Sequence, residues 1–313
     1  MNKVKGYLSL VKFSHTIFAM PFALIGFFLG IKVFNSLTGF FTGQYFRNTN
    51  LNVTGYYQFP MSRGAIITRL ILVILCMVFA RSAAMGFNRW LDATYDALNP
   101  RTAIREIPAG IITSKNALLF VIINCVAFVA CCYFINLLCF WLSFVALFII
   151  LFYSYTKRIT PLCHLILGLG LSLAPIGAFL AVTGRFQVLP ILFSITVLFW
   201  VGGFDIIYAL QDEEFDKSNH LWSIPAALGK VKALHVSEIF HLLSTASIIW
   251  AGIYGHFHIF YWIGVCVFVA LLLYQHSIVK VNDLSRINVA FMTANGIASV
   301  IFSIFVLMDL YIY

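Results

Sequence analysis

Between Arg69 and Asp96 the chain reads "RLILVILCMVFARSAAMGFNRWLDATYD". Its first part, "RLILVILCMVFA" (69–80), is apolar after Arg69, and its last part, "NRWLDATYD" (88–96), places two carboxylates and an amide where such a run should end. A helix of about 20 apolar residues crosses a hydrocarbon core about 30 Å thick, and this stretch with its upstream residues has that length. The surrounding composition agrees: the 313 residues are 62% hydrophobic and 10% charged, where soluble domains carry about a quarter charged residues. The pattern defines an integral membrane protein, and the absence of ten-residue alternation argues against a β-barrel. A net charge of +9 raises the question of nucleic acid. Lys and Arg sit in connections between apolar spans and form no aromatic-interleaved basic face, so no nucleic acid partner is expected.

Outward from this stretch, apolar spans at 15–35, 64–88, 115–135, 138–156, 162–182, 188–210, 232–253, 257–275 and 287–311 predict an all-α bundle of about nine transmembrane helices, a single polytopic domain over 1–313. Lys3, Lys5 and Lys12 precede the first run as in a signal peptide, but no small-x-small cleavage site follows, and the run is expected to remain as a helix. Val4, Tyr7, Leu8 and Val11 have the spacing of a short interfacial helix. Basic residues gather in the connections after the second, fourth and sixth spans (Arg89, Arg101, Arg105, Lys115; Lys157, Arg158; Lys217, Lys230, Lys232). By the positive-inside rule those connections and the N-terminus face the cytoplasm, as in a bacterial inner membrane, and the C-terminus lies outside. Residues 36–63, polar and Gly-rich, read as an extracytoplasmic loop, with "NVT" a weak glycosylation match. The seven cysteines lie in or beside apolar spans without a CxxC and read as small buried hydrophobes. "GLGLSLAPIG" (168–177) lacks the strand–helix context of a dinucleotide loop and reads as close helix packing.

Eight of the eleven acidic residues fall in two segments: Asp92, Asp96 and Glu106, then Asp205, Asp212, Glu213, Glu214 and Asp216. At 100° per residue, Arg81, Asn88, Asp92 and Asp96 project within about 80° of one another, and so do Asp205, Tyr208, Asp212 and Asp216, while Glu214 points away. Two such stripes at one membrane face bring four carboxylates together, and their repulsion calls for bridging cations. Mg2+ takes one or two carboxylates and completes its octahedron with water and phosphate oxygens, so the expected ligands Asp92, Asp96, Asp212 and Asp216 suit a metal–diphosphate site. Arg101 and Arg105 in "NPRTAIREIPAG" and Lys157 and Arg158 in "YSYTKRIT" are the nearby cations for phosphate. Arg81 lies inside an apolar span, where a charge costs at least about 2.5 kcal/mol, so it must face the interior and meet either a structural partner, a carbonyl or a buried acid, or a substrate carboxylate. No histidine forms an HExxH pattern.

"NRWLDATYD" followed by "NPRTAIREIPAG" resembles the first aspartate-rich region of the UbiA superfamily of intramembrane prenyltransferases, and "DIIYALQDEEFD" resembles the second. "YSYTKRIT" is similar to the Tyr/Lys/Arg segment between them, and "LWSIPAALG" fits as well. The resemblance covers nearly the whole chain. It implies a nine-helix fold with an intramembrane cavity open to the cytoplasmic side, and Mg2+ bridging a polyprenyl diphosphate at Asn88, Asp92, Asp96, Asp212 and Asp216. Arg101, Lys157 and Arg158 then hold the diphosphate, and Tyr153 and Tyr208 line the pocket. Arg81 stands where members using 4-hydroxybenzoate carry an arginine for the aromatic carboxylate.

The implied reaction is polyprenyl transfer to the ring of an aromatic hydroxy acid. The leading acceptor is 4-hydroxybenzoate on a ubiquinone route, and a dihydroxynaphthoate on a menaquinone route is second. Asp205 is expected to orient a neighbour or to assist phenol deprotonation. The partners are then polyprenyl diphosphate, the aromatic acid and the lipid bilayer, with no obligate protein partner. A secondary transporter for a divalent cation or phosphorylated lipid is the other class that intramembrane charges allow. Carboxylates clustered at one face and the lack of a visible inverted repeat speak against it.

Overall fold

With no water in the bilayer core, every backbone N–H and C=O must be satisfied within its own segment, and apolar runs of this length become helices. The computed structural model describes residues 7, 9–11, 18–45 and 61–313. Helix α1 spans Met20–Tyr45, α2 Arg63–Leu91 and the short α3 Ala93–Leu98. Then come α4 Ser114–Ile135, α5 Leu137–Thr156, α6 Cys163–Thr183 and α7 Val188–Ala209. A 3₁₀ turn Leu210–Asp212 joins α7 to α8 Glu213–Ser218, followed by α9 Ile224–Leu228, α10 Lys230–Tyr254 and α11 Ile259–Ile278. A π turn Val289–Ala294 leads into α12 Asn295–Ile312.

Local chemistry sets several boundaries. Ser62 Oγ accepts the Ala65 N–H at the start of α2, and Asn136 Oδ1 accepts the Cys139 N–H at the start of α5, each satisfying a donor left orphaned at a helix N-terminus. Asn136 also interrupts what is otherwise one long apolar run between α4 and α5, and its Nδ2 donates to Leu180 O. Gly184 ends α6 with φ +62°, a left-handed conformation that glycine adopts without penalty.

Eight helices among the described residues are long and apolar enough to cross a membrane, and α1 is apolar over Met20–Asn35. Their positions follow the predicted spans closely. The exception is the segment expected to be a loop from residue 36: the α1 backbone remains helical to Tyr45. Gly39 and Gly43 lower helix propensity there without ending it. The "NVT" match, at residues 52–54, lies outside the described residues.

Helix α6 packs between α1 and α7, and α10 packs on the far side of α7. A Cβ on Gly26 would sit 2.0 Å from Pro175 O, and one on Gly168 2.2 Å from Leu198 O, so backbones touch at both α1/α6 and α6/α7. The reading of the glycine stretch as close helix packing therefore holds at Gly168. Around α7 the core is aromatic: Trp200, Phe22, Phe268 and Phe302 are fully buried in one cluster. Five of the seven cysteines are buried as expected, while Cys125 is half-buried and Cys266 is exposed on α11. Lipid occupies the place of a protein core on that face, so an apolar residue needs no burial there.

This packing brings the segment after α2, the α5/α6 connection and the segment after α7 to one end of the bundle, where residues of all three line a common cavity.

Candidate active site

The first arm of the site grows from α2. The chain departs from helix geometry at Asp92, yet the i to i−4 ladder continues, with Asp92 N–H to Asn88 O at 2.9 Å and Asp96 N–H to Asp92 O at 2.7 Å. The side chains of Asn88, Asp92 and Asp96 therefore keep their common face. Asn88 Nδ2 donates to Asp92 Oδ2 at 3.0 Å. The second arm grows from α7, where Asp205, Tyr208, Asp212 and Asp216 all line the same cavity despite the 3₁₀ turn. Glu214 is exposed and points away, as predicted.

The cavity has a volume of about 260 Å³. Arg81, Asn88, Asp92 and Asp96 border it, as do Arg101, Tyr153, Lys157, Asp205, Tyr208, Asp212 and Asp216. Arg158 stands outside this lining. Its guanidinium is held by Leu91 O at 2.9 Å and Asp92 Oδ1 at 3.0 Å and lies over the Tyr95 and Tyr155 rings. That placement fixes Asp92 from behind.

The four carboxylates are not left to repel one another. Arg101 donates to both oxygens of Asp212, at 2.6–3.2 Å, and from Nη1 to the Tyr208 hydroxyl at 3.2 Å. Arg105 meets Asp96 at 2.6 Å, Arg158 meets Asp92 at 3.0 Å and Lys157 meets Asp216 at 3.5 Å. Four acids and four cations thus balance, and no group of three metal-ligating side chains stands together among the described residues. The inference that repulsion alone demands a metal is corrected accordingly, because the connecting segments interleave their basic residues between the two arms.

The donor set nonetheless suits a hard divalent cation. It is made of carboxylate and amide oxygens, and Asp96 Oδ2 is buried with no hydrogen-bond partner. Burial pushes the Asp92 carboxyl up to about 6, outweighing Arg158 and Lys157, so its charged form stands to gain from a further cation. Burial pulls the Lys157 ammonium down, but Asp216 outweighs it and the net direction is up. For Arg101 as well burial is outweighed, by its hydrogen bonds and charge contact with Asp212, and the guanidinium is held charged.

Arg81 differs from the other cations. It makes no ion pair among the described residues, and its Nε is buried without a hydrogen bond. It sits on the wall between the polar cavity and a second, mainly apolar one of about 360 Å³, sharing that position with Met85, Tyr153, Leu167 and Leu171.

Sequence reasoning missed several contributors. Arg105, expected as a cation for phosphate, is here the partner of Asp96. His164 was set aside, yet it is fully buried against Asp205; its signal was a titratable ring at the start of an apolar span. Buried Arg89 lies 3.8 Å from Glu106, which also accepts a hydrogen bond from Ser9, so the N-terminal segment ties down the connection that carries Arg101 and Arg105. Phe291, presented by the π turn, closes the cavity against the Tyr208 ring at 4.3 Å.

Fold and site define a polytopic membrane protein with an oxygen-rich, charge-balanced cavity at one end of the bundle and an apolar chamber behind it. A sequence profile of the UbiA prenyltransferase family matches residues 57–297, and the chain belongs to that family. It is 31% identical over 242 residues to the 4-hydroxybenzoate octaprenyltransferase of Francisella tularensis subsp. mediasiatica, covering 77% of this chain and 84% of that one. The apo structure of a UbiA homolog from Aeropyrum pernix K1 superposes with a TM-score of 0.72 at 25% identity, over 95% of this chain and 97% of that one. A UbiA homolog from Archaeoglobus fulgidus bound to GPP and Mg2+ shares the fold, with a TM-score of 0.70 at 19% identity over 97% and 99% of the two chains. The chain is a prenyltransferase, and the transporter reading falls.

Proposed function

We propose that the protein transfers a polyprenyl group from polyprenyl diphosphate to the ring of an aromatic hydroxy acid, with Mg2+, in respiratory quinone synthesis. The leading acceptor is 4-hydroxybenzoate, after the relatives named for it. The observation that carries the reading is Arg81, a cation in the polar cavity with no acidic partner among the described residues, set beside a charge-balanced diphosphate half. An acceptor carboxylate supplies what Arg81 lacks, and a dihydroxynaphthoate carries the same group.

Asn88, Asp92, Asp96, Asp212 and Asp216 hold Mg2+ with the diphosphate. When bound, the metal neutralises the negative charge that grows on the leaving group. Arg101 and Lys157 turn from their carboxylates to the phosphate oxygens and stabilise the same charge as the allylic C–O bond ionises. Tyr153 and Tyr208 line the pocket, and the apolar chamber behind Arg81 receives the first isoprene units while excluding water that quenches a carbocation. Asp205 takes the proton that the ring gives up. The whole chain acts as one domain, with its cavity mouth on the cytoplasmic side where the basic connections lie.

The test is pyrophosphate release by purified protein supplied with Mg2+ and a polyprenyl diphosphate. Release is expected only when a phenolic acid is present, with mass spectrometry of the product from competing 4-hydroxybenzoate and dihydroxynaphthoate naming the acceptor. Release at equal rates without any acceptor would overturn the reading.

A further inference from the structure

His164 opens α6 with no solvent exposure, and both of its ring nitrogens are engaged. Nε2 faces the backbone N–H of Ile224 at 3.3 Å, and Nδ1 lies 2.6 Å from Asp205 Oδ2. A backbone amide only donates, so Nε2 is the accepting nitrogen and the ring proton sits on Nδ1, where it is given to Asp205. The Ile224 N–H belongs to the first turn of α9 and has no intrahelical acceptor, which leaves it free to lock the imidazole in this tautomer. Asp205 is thereby fixed by one oxygen. Its other oxygen, Oδ1, has no hydrogen-bond partner among the described residues, and the side chain borders the polar cavity. Arg81, Tyr153 and Asp205 all line this cavity, so the carboxylate and the unpaired guanidinium open on the same space.

We propose that His164 is a positioning residue: held by the Ile224 amide, it aims Asp205 Oδ1 at the ring carbon that receives the prenyl group. This rests on the function proposed above. In the step concerned, a ring π pair forms the new C–C bond to prenyl C1, whose bonding pair to oxygen has left with pyrophosphate. The C–H bond at that ring carbon then breaks, its electron pair restores the aromatic ring, and the proton passes to Oδ1 and on to water at the cavity mouth. A carboxylate free to rotate can also capture the allylic cation as an ester. One tied to His164 keeps its angle and leaves the cation to the ring.

The experiment compares His164→Leu, His164→Gln and Asp205→Asn with the unmodified protein, using the acceptor that it prenylates in normal and ring-deuterated form. Misaiming a reacting group by about 1 Å costs on the order of a hundredfold, so His164→Leu is expected to lose about that factor in kcat, and Asp205→Asn, which removes the base itself, about a hundredfold or more, both with KM values nearly unchanged. Because proton loss becomes slow, both should show a primary isotope effect on kcat that the unmodified protein lacks. A glutamine amide can donate to Asp205 while its carbonyl accepts from Ile224, so His164→Gln should recover most of the rate and lose the isotope effect. Asp205→Asn keeps an acceptor for His164 and remains informative should the leucine variant fail to fold. The proposal is overturned by Asp205→Asn without an isotope effect, by a glutamine variant as slow as leucine, or by losses that appear in KM alone. An unmodified protein that prenylates no aromatic acid sinks the function reading first and this proposal with it; normal transfer with an unimpaired leucine variant sinks this proposal only.

Discussion

Replacing Arg81 by Met tests the acceptor half of the site, because two consequences of opposite sign are expected from one change. Arg81 lies within α2, its Nε is buried and unbonded, and no carboxylate pairs with it among the described residues. A charge inside an apolar span costs at least about 2.5 kcal/mol, so its loss should make the free protein more resistant to thermal unfolding. Charge-assisted hydrogen bonds to a substrate carboxylate are worth about 1.5–3 kcal/mol. At about 1.4 kcal/mol per factor of ten, their loss raises the acceptor KM by about 10- to 150-fold. The assay varies acceptor at saturating polyprenyl diphosphate, then reverses the roles, alongside a melting curve in detergent. The diphosphate KM should stay put, since the proposal gives that half to Arg101 and Lys157. An acceptor KM within about threefold of the unmodified protein's, or equal rises in both KM values, refutes the assignment.

Asp92→Ala and Asp212→Ala should each abolish transfer while leaving a monodisperse protein; near-full, Mg2+-dependent rates in both would remove the metal–diphosphate reading. Since the Asp92 carboxyl sits at about 6, a proton competes with metal there below that pH. Apparent Mg2+ affinity, read from rates at varied metal, should be flat above pH 6 and fall about tenfold per unit below it; affinity that rises on acidification contradicts the sign. Gly168→Ala places a Cβ 2.2 Å from Leu198 O, where backbone must yield, and should cost about 1–3 kcal/mol or more, seen as a lowered melting temperature. Adding the same methyl at Gly177, which has open space around it, serves as the control.

The two acidic stripes were legible because helical spacing survives small departures from regularity. Asn88, Asp92 and Asp96 stay aligned across the break at Asp92 because the hydrogen-bond ladder does, and Asp205 to Asp216 stay aligned across a single 3₁₀ turn. What spacing does not carry is who faces whom. Arg101 reaches Asp212 across 111 residues and Lys157 reaches Asp216 across 59, so the neutralisation of each acid is a property of packing and not of either segment. The expectation of four mutually repelling carboxylates failed there. His164 was illegible for a similar reason, since its two partners come from the end of α7 and the start of α9. The helical backbone of 36–45 was missed because glycine content was weighed above continuity with the apolar run preceding it.

The pairing of Asp92, Asp96, Asp212 and Asp216 each with its own cation bears on how the enzyme ends a cycle. In the proposed reaction, Arg101 and Lys157 are borrowed from Asp212 and Asp216 while the phosphates are present. Once the hydrocarbon tail has been handed over, free pyrophosphate must keep them by charge alone, against carboxylates that hold them at 2.6 and 3.5 Å in the resting site. On that proposal the resting contacts compete with the spent leaving group, and pyrophosphate is expected to inhibit more strongly once Asp212 or Asp216 is replaced by Asn.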